Sequence, residues 1–191
     1  MPDSKGWICV KRMILKSNKA WGILTLALTA AFVVLLGSCV AVIDPFFHYH
    51  KPLACLQYPL NNEWYQNDGI VRNFSYDTLI TGTSMTENFK TSECDALFDV
   101  NSVKAPYAGA SFLQIDTLVR QAIRSQPELK LVIRGLDFNR LLADDVNATF
   151  SDVPFPQYLY NSDPFDDVHY VLNKEVLLNN ALGVVKYTNE G

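Results

Sequence analysis

The amino-acid sequence predicts an α/β protein in which helices cover both faces of a parallel sheet in three layers, preceded by one N-terminal transmembrane helix. Three observations support this prediction. After residue 76, short apolar strand patterns alternate with a helical pattern, which is typical of parallel strands joined by right-handed crossovers. The 191 residues, 49% of them hydrophobic, suffice for one globular core. An uncharged run, Trp21 to Ile43, precedes that region.

The uncharged run predicts a membrane anchor. Its 23 residues, at about 1.5 Å each in a helix, exceed the roughly 30 Å of a hydrocarbon core. Residues 1–20 carry five bases against the single acid Asp3, so the positive-inside rule predicts a cytoplasmic N-terminus and an exported remainder. A cleaved signal peptide is the alternative. The run is longer than the ~7 to 15 apolar residues of such peptides, which favours an uncleaved anchor.

The exported part is acidic. The chain has 16 Lys and Arg and 20 Asp and Glu, and five of these bases and one acid precede residue 44, which leaves 11 bases against 19 acids. Nucleic-acid binding requires basic surface for phosphate contacts. The charge therefore excludes nucleic acid as the expected partner.

The four cysteines do not predict a disulfide framework. Cys9 precedes the anchor, and of the rest only Cys55 and Cys94 could pair outside the membrane. A lipoprotein processing site that ends in Cys39 is an alternative to the anchor, in which the cysteine would be acylated. The apolar residues 40–43 that follow argue against it.

Residues 44–72 follow the anchor and are rich in aromatic and turn-forming residues without a helical or strand period. They predict an ordered connecting segment. We expect its aromatic side chains to pack on the domain or to lie at the level of the lipid headgroups. These side chains are Phe46, Phe47, Tyr49, Trp64 and Tyr65.

Residues 73–191 predict the α/β domain itself, with strands at 77–81, 101–105 and 129–134. Three strands are fewer than the roughly five of a typical sheet. We therefore expect this sequence to lack the C-terminal part of the domain.

Two helices are predicted within this domain. Ser111 and Gln114 form a capping-box pattern that begins one helix, and Pro127 ends it. A further helical pattern covers residues 171–182.

Ligands bind outside the carboxyl ends of the strands in open parallel sheets, and three glycine-containing loops follow the predicted strands. They are residues 82–87, 106–111 and 135–139. In the first, an apolar strand runs into Gly82 and places Ser84 on a turn that opens a helix, a geometry that can expose a serine nucleophile. The alternative is a structural role, because Ser84 and Glu87 also have the spacing of a capping box.

These three loops resemble the sequence blocks of the SGNH (GDSL-like) hydrolase superfamily. I-T-G-T-S-M is similar to its first block, and the resemblance implies that Ser84 is the nucleophile. Y-A-G-A-S matches its second block, which implies Gly109 as an oxyanion donor. The third block is a poorer match, because Asp137 stands where the family has its asparagine and Asn139 lies two residues later.

The resemblance also implies a flavodoxin-like fold and a catalytic base. The spacing of Asp166 and His169 is similar to the D-x-x-H of the family's closing block, in which the aspartate orients the histidine. In the family this block follows the later strands, whereas here it comes about 30 residues after the third strand. His48 and His50 lie within seven residues of the anchor, where interfacial or structural roles are expected.

Together the anchor, the serine block and the acidic exported domain resemble envelope members of this superfamily, typified by the D-alanine transfer protein of teichoic-acid modification. This resemblance implies an esterase or O-acyltransferase whose partners are a cell-envelope polymer, an acyl donor and a membrane acyltransferase. A non-catalytic scaffold or binding module of such a complex is the alternative. We expect no cofactor or metal, since nucleotide-binding and zinc motifs are absent from the sequence.

Overall fold

A computed structural model describes residues 4–138, 154–161 and 163–190. It confirms an α/β fold with a three-stranded parallel sheet and an N-terminal apolar helix. The elements, in chain order, are α1 (Ser4–Ile43), α2 (Glu63–Asn73), β1 (Thr78–Thr81), a first 3-10 helix (Ser84–Asn88), α3 (Thr91–Phe98), β2 (Ser102–Lys104), α4 (Phe112–Ser125), β3 (Leu131–Arg134), a second 3-10 helix (Gln157–Tyr160), α5 (Val168–Val171), a π-helix (Val176–Ala181) and α6 (Leu182–Glu190).

The three predicted strands are confirmed, each one or two residues shorter at an end than predicted. Their order is β2-β1-β3 and all pairs are parallel, with Thr78 of β1 opposite Ser102 of β2 and Leu131 of β3. Strand β1 is central and fully buried. The chain leaves β1 toward one edge and then crosses to the other, so the strand order reverses between β1 and β3. Such reversals are where open α/β sheets bind ligands.

The predicted capping box at the start of α4 is confirmed. The Gln114 N–H donates to the Ser111 hydroxyl at 3.2 Å, and the Ser111 N–H donates to the Gln114 side chain at 2.8 Å. The helix buries Ile115, Leu118 and Ala122 and ends before Pro127. It packs against α2.

The sequence predicts an ordered connecting segment over residues 44–72 without a helical period, and the structure places most of α2 in it. The signal is hidden because α2 buries polar side chains, among them Gln66, Asn67 and Asp68. Gln66 donates to the carbonyl of Pro59 at 2.9 Å, and Asn67 donates to that of Pro106. Burial that is satisfied by hydrogen bonds leaves no apolar period in the sequence.

Aromatic residues around α2 pack on the domain, which is the first of the two placements that the sequence predicted. Trp64 is buried and stacks on Tyr107 with ring centroids 5.1 Å apart. Phe46 and Phe47 are also buried. The segment after the anchor is therefore part of the folded core.

The prediction of one continuous helix over residues 171–182 is wrong, because the helix is interrupted after Val171 and helical structure extends beyond residue 182. A short helix stops at Val171, and a new helical stretch continues to Glu190. Asn173 explains the break, since its side-chain oxygen accepts the backbone N–H of Glu175 at 2.8 Å. An asparagine that caps the following turn ends the preceding one.

Residues 18–43 of α1 are long and apolar enough to cross a membrane. Their large apolar side chains are mostly exposed, as in Trp21, Leu26 and Val34. Cys39 is exposed on this helix, and Cys55 and Cys94 are both free thiols.

The last turn of α1 leads directly into Asp44, which is fully buried and has a positive φ of 48°. Its carboxylate accepts the backbone N–H groups of His48, Tyr49 and His50 at 2.8 to 2.9 Å. The Tyr170 hydroxyl donates to the same carboxylate at 2.7 Å. One buried anion therefore ties the helix end to the next loop and to α5.

We expect Asp44→Asn to destabilise the fold by about 2 to 4 kcal/mol, because its amide nitrogen would face donors that the carboxylate now satisfies. The matched control is Asp99→Asn, since Asp99 also has a positive φ, 54°, but is exposed. Thermal unfolding in detergent, followed by circular dichroism, measures the difference. Equal melting temperatures for the two variants would contradict this role of Asp44.

Gly69 allows α2 to lie against the backbone of residues 46–47. A Cβ at this position would lie 2.5 Å from the Phe47 carbonyl oxygen and closer still to that of Phe46. Backbone atoms cannot rotate away as a flexible side chain can. The close approach therefore requires glycine.

Gly69→Ala is expected to lower the melting temperature, because the new methyl group forces the helix and the 46–47 loop apart. Gly183→Ala serves as the control, since a Cβ on this helical glycine meets nothing within 4 Å. Alanine at that site should be neutral or stabilising by up to about 1 kcal/mol. Unfolding curves of both variants test the contact, and a Gly69→Ala protein as stable as the parent would argue against it.

Candidate functional site

The candidate site lies at the carboxyl end of the parallel sheet, where the loops after β1, β2 and β3 meet. Ser84 follows the central strand and is exposed as the first residue of the 3-10 helix. After β1 the chain passes through the buried Gly82 and Thr83 and then presents a serine to solvent. This position agrees with the turn expected for the first loop.

The turn after β1 is held close to the β3 loop by two glycines. A Cβ on Gly82 would lie 3.2 Å from the backbone of Gly135 and would overlap the Thr86 hydroxyl. The Gly135 N–H donates to the Thr81 carbonyl at 2.8 Å. The absence of side chains at both positions therefore brings the two loops together.

Thr83 and Asp137 join these loops across the strand-order reversal. The Thr83 hydroxyl donates to the Asp137 carboxylate. The crevice beside this pair, lined in part by Phe112, Arg134 and Leu136, has a volume of only about 10 Å³. That is about the room that a single water molecule requires, roughly 10 to 15 Å³. A ligand at this edge would therefore lie over the loops, on the side of Ser84.

The alternative that Ser84 is a capping residue is wrong. The 3-10 helix has Thr83 at its N-cap position and no side-chain cap, and the Thr86 N–H donates to the Thr83 carbonyl at 2.9 Å. The Ser84 hydroxyl makes no hydrogen bond to any residue in the described ranges. Within the described residues the hydroxyl is therefore unpaired and has no base beside it.

Gly109 lies in the loop after β2, at a turn in which the Ala110 N–H donates to the Tyr107 carbonyl at 3.3 Å. Its φ of 72° is in the left-handed region that glycine adopts freely. The turn role is thus observed. The oxyanion role stays a prediction, and Asn139 lies outside the described residues.

Glu63 is a residue of this site that the sequence analysis missed. It begins α2, and its carboxylate accepts the backbone N–H of Ala108 at 2.6 Å, directly before Gly109. Burial raises the pKa of Glu63, and the nearby carboxylate of Glu87 raises it further, against the opposing effect of the Ala108 hydrogen bond. An acid in the first turn of a helix would have been the signal, but that helix was itself not predicted.

Asp166, the predicted orienting acid, lies just before α5. His169, the predicted base, lies in the first turn of α5. The Asp166 carboxylate accepts the Asn161 side chain at 2.6 Å. His169 is exposed, and its ring lies 5.8 Å from that of Tyr158. Neither side chain hydrogen-bonds to the other or to Ser84 within the described part of the chain. The triad of Ser84, Asp166 and His169 therefore stays a prediction.

The neighbouring acid, Asp167, binds a different histidine. His48 Nε2 lies 3.2 Å from its carboxylate, and the Tyr49 hydroxyl donates to it at 3.0 Å. His48 Nδ1 is buried without a partner among the described residues. His50 interacts through its ring nitrogens with the carbonyls of Lys51 and Val42. Both histidines thus serve the junction between α1 and the domain.

Comparisons of this chain with models of known protein families, with curated proteins and with solved structures gave no match. The fold and the loops at its edge therefore carry the functional argument.

The junction should lose stability in acid because of His48. Burial lowers its pKa more than Asp167 raises it, and a charged imidazole would place a second N–H where the described residues offer no acceptor. The unfolded chain then binds a proton more readily than the folded chain. Stability is full above the ordinary histidine pKa of about 6.5 and falls below it, by at most about 1.4 kcal/mol per pH unit.

The test compares the parent protein with His48→Gln from pH 8 to pH 5. Glutamine can still donate to Asp167 but does not titrate, so the melting temperature of the parent should fall more steeply below about pH 6.5. His169→Gln is the control, because that histidine is exposed. Parallel curves for parent and His48→Gln would exclude His48 as the titrating group.

Proposed function

We propose that this protein is a membrane-anchored esterase or O-acyltransferase of SGNH type, with Ser84 as its nucleophile and a cell-envelope polysaccharide or teichoic-acid-type polymer as its substrate. In this proposal α1 crosses the membrane once with its N-terminus in the cytoplasm, and the domain is the three-layer fold of that superfamily outside the membrane. The observation that carries it is the exposed Ser84 at the carboxyl end of the central strand.

The chemistry requires three steps at that position. A base takes the Ser84 hydroxyl proton as the oxygen attacks the acyl carbonyl carbon, and backbone N–H groups stabilise the resulting oxyanion. The alcohol of the donor then leaves with that proton. Water or a polymer hydroxyl next takes the acyl group and restores the serine.

Local features support the oxyanion part of this scheme. Ser84 is the first residue of its turn, so its backbone N–H has no acceptor within the turn and can face a substrate. Gly109 would supply a second N–H from the neighbouring loop. The base is assigned to His169 with Asp166, which requires them to approach Ser84, or to a residue outside the described ranges.

A non-catalytic binding or scaffold module in an acyl-transfer or polysaccharide-assembly complex is the second candidate. Two observations favour it. The Ser84 hydroxyl has no base within the described residues, and the Glu63 carboxylate already occupies the Ala108 N–H beside Gly109.

The decisive experiment measures hydrolysis of p-nitrophenyl acetate and labelling by a fluorophosphonate. Ser84→Ala should lower kcat by about a hundredfold or more and abolish labelling, since the acyl intermediate of the proposed mechanism forms on the Ser84 hydroxyl. Ser92→Ala is the matched control, because Ser92 is an exposed serine on α3. Melting temperatures confirm that both variants fold.

Equal turnover in Ser84→Ala and the parent would reject Ser84 as the nucleophile. A parent protein that neither turns over the ester nor is labelled at Ser84 would support the scaffold module instead.

A further inference from the structure

An apolar groove lies between α1 and the C-terminal helical region, beside the place where the two are in contact. Its volume is about 330 Å³. Two of its walls are side chains of the anchor, Val33 and Leu36, and the others come from the stretch after Tyr170. The apolar residues of that stretch that line it are Val171, Leu172, Leu177 and Leu178.

The length of α1 determines where this groove would lie relative to a membrane. The apolar part of α1 has 26 residues, or about 39 Å of helix, whereas a hydrocarbon core of about 30 Å takes about 20 residues. Any 20 consecutive residues within 18–43 include both Val33 and Leu36. If α1 crosses a membrane, the groove therefore lies inside the hydrocarbon region.

The C-terminal region is packed firmly against this part of α1. A Cβ on Gly37 would lie in ordinary van der Waals contact with Val171 and Leu172, at 3.5 to 3.8 Å. One turn further on, Val40 is fully buried in a cluster that includes Tyr170 and Val176. The Tyr170 hydroxyl also donates to Asp44, at the end of α1.

Leucines of this region face outward at the same depth. Leu172 is 47% exposed and Leu178 46% exposed, and both also line the groove. Val168 and Leu182 are half-exposed, one helical turn before Leu172 and one after Leu178. An apolar surface continuous with a membrane-spanning helix is stable where lipid covers it.

We propose that residues 168–182 form a second membrane contact, which enters the leaflet on the domain side of the bilayer, and that the groove holds an acyl chain of a phospholipid. Lys174 lies at the rim, where its long side chain reaches the headgroup phosphate while its methylene groups stay in apolar surroundings. The acidic residues just before this stretch, Asp163, Asp166 and Asp167, and the exposed Glu175 next to Lys174 remain in water. The proposal rests on the membrane span of α1. Because it places His169 at the membrane, it requires the other alternative for the base of Ser84, a residue outside the described ranges.

The test places an environment-sensitive fluorophore at single introduced cysteines in the full chain, in nanodiscs of phosphatidylcholine and phosphatidylglycerol. Cys9, Cys39 and Cys55 are first replaced by serine, and the buried Cys94 is kept. The fluorophore NBD is attached in turn to Leu172→Cys, Leu178→Cys and Leu97→Cys. Leu97 is the matched control, an exposed leucine on α3, which packs against β2.

Nanodiscs whose lipids carry brominated acyl chains should quench NBD at positions 172 and 178 at least about twofold more than at position 97, with blue-shifted emission at both sites. Equal quenching at all three positions would overturn the proposal. Blue-shifted emission without bromine quenching would also overturn it, because another protein surface, such as a second copy of the chain, would then cover the groove. Ester hydrolysis is not measured in this experiment, so its outcome is separate from that of the proposed function.

Discussion

The buried carboxylate of Asp44 is the interaction on which the junction of this molecule depends. It accepts three successive backbone N–H groups and the Tyr170 hydroxyl. Two parts of the chain, 126 residues apart, thereby meet at the end of α1. A charge that has lost its water is stable only with all of these donors in place. The adjoining apolar cluster, with Phe46 and Val176 among its members, packs around that polar centre.

The sheet edge and the junction solve opposite physical problems. At the junction, the Asp44 carboxylate is buried and its donors hold it in place. At the edge, Gly82 and Gly135 let two loops touch and direct Ser84 outward without a hydrogen-bond partner within the described residues. A side chain that contacts a ligand must be exposed and unpaired, whereas a buried structural carboxylate must have all its hydrogen bonds made.

Local sequence patterns correctly predicted those elements that interactions between neighbouring residues determine. The strands and α4 follow from apolar runs and a capping box, and the turn at Ser84 follows from a glycine after a strand. The helix α2 escaped prediction because its buried side chains are polar and their partners are distant, as with Asn67 and Pro106. The pairing of His48 with Asp167 joins residues 119 apart, and the D-x-x-H spacing pointed to His169 instead. No local pattern encodes which histidine meets which acid.

The chain passes from α1 directly into the core, with no flexible linker between them. Asp44 continues the last turn of α1, Phe46 and Phe47 are already buried, and Gly69 presses α2 against them. A flexible linker would let a domain sweep a radius that grows with the square root of its length. Here there is no linker of that kind, because the chain is buried again almost directly after Ile43. If α1 crosses a membrane, the domain must turn together with its helix and stay at the membrane surface.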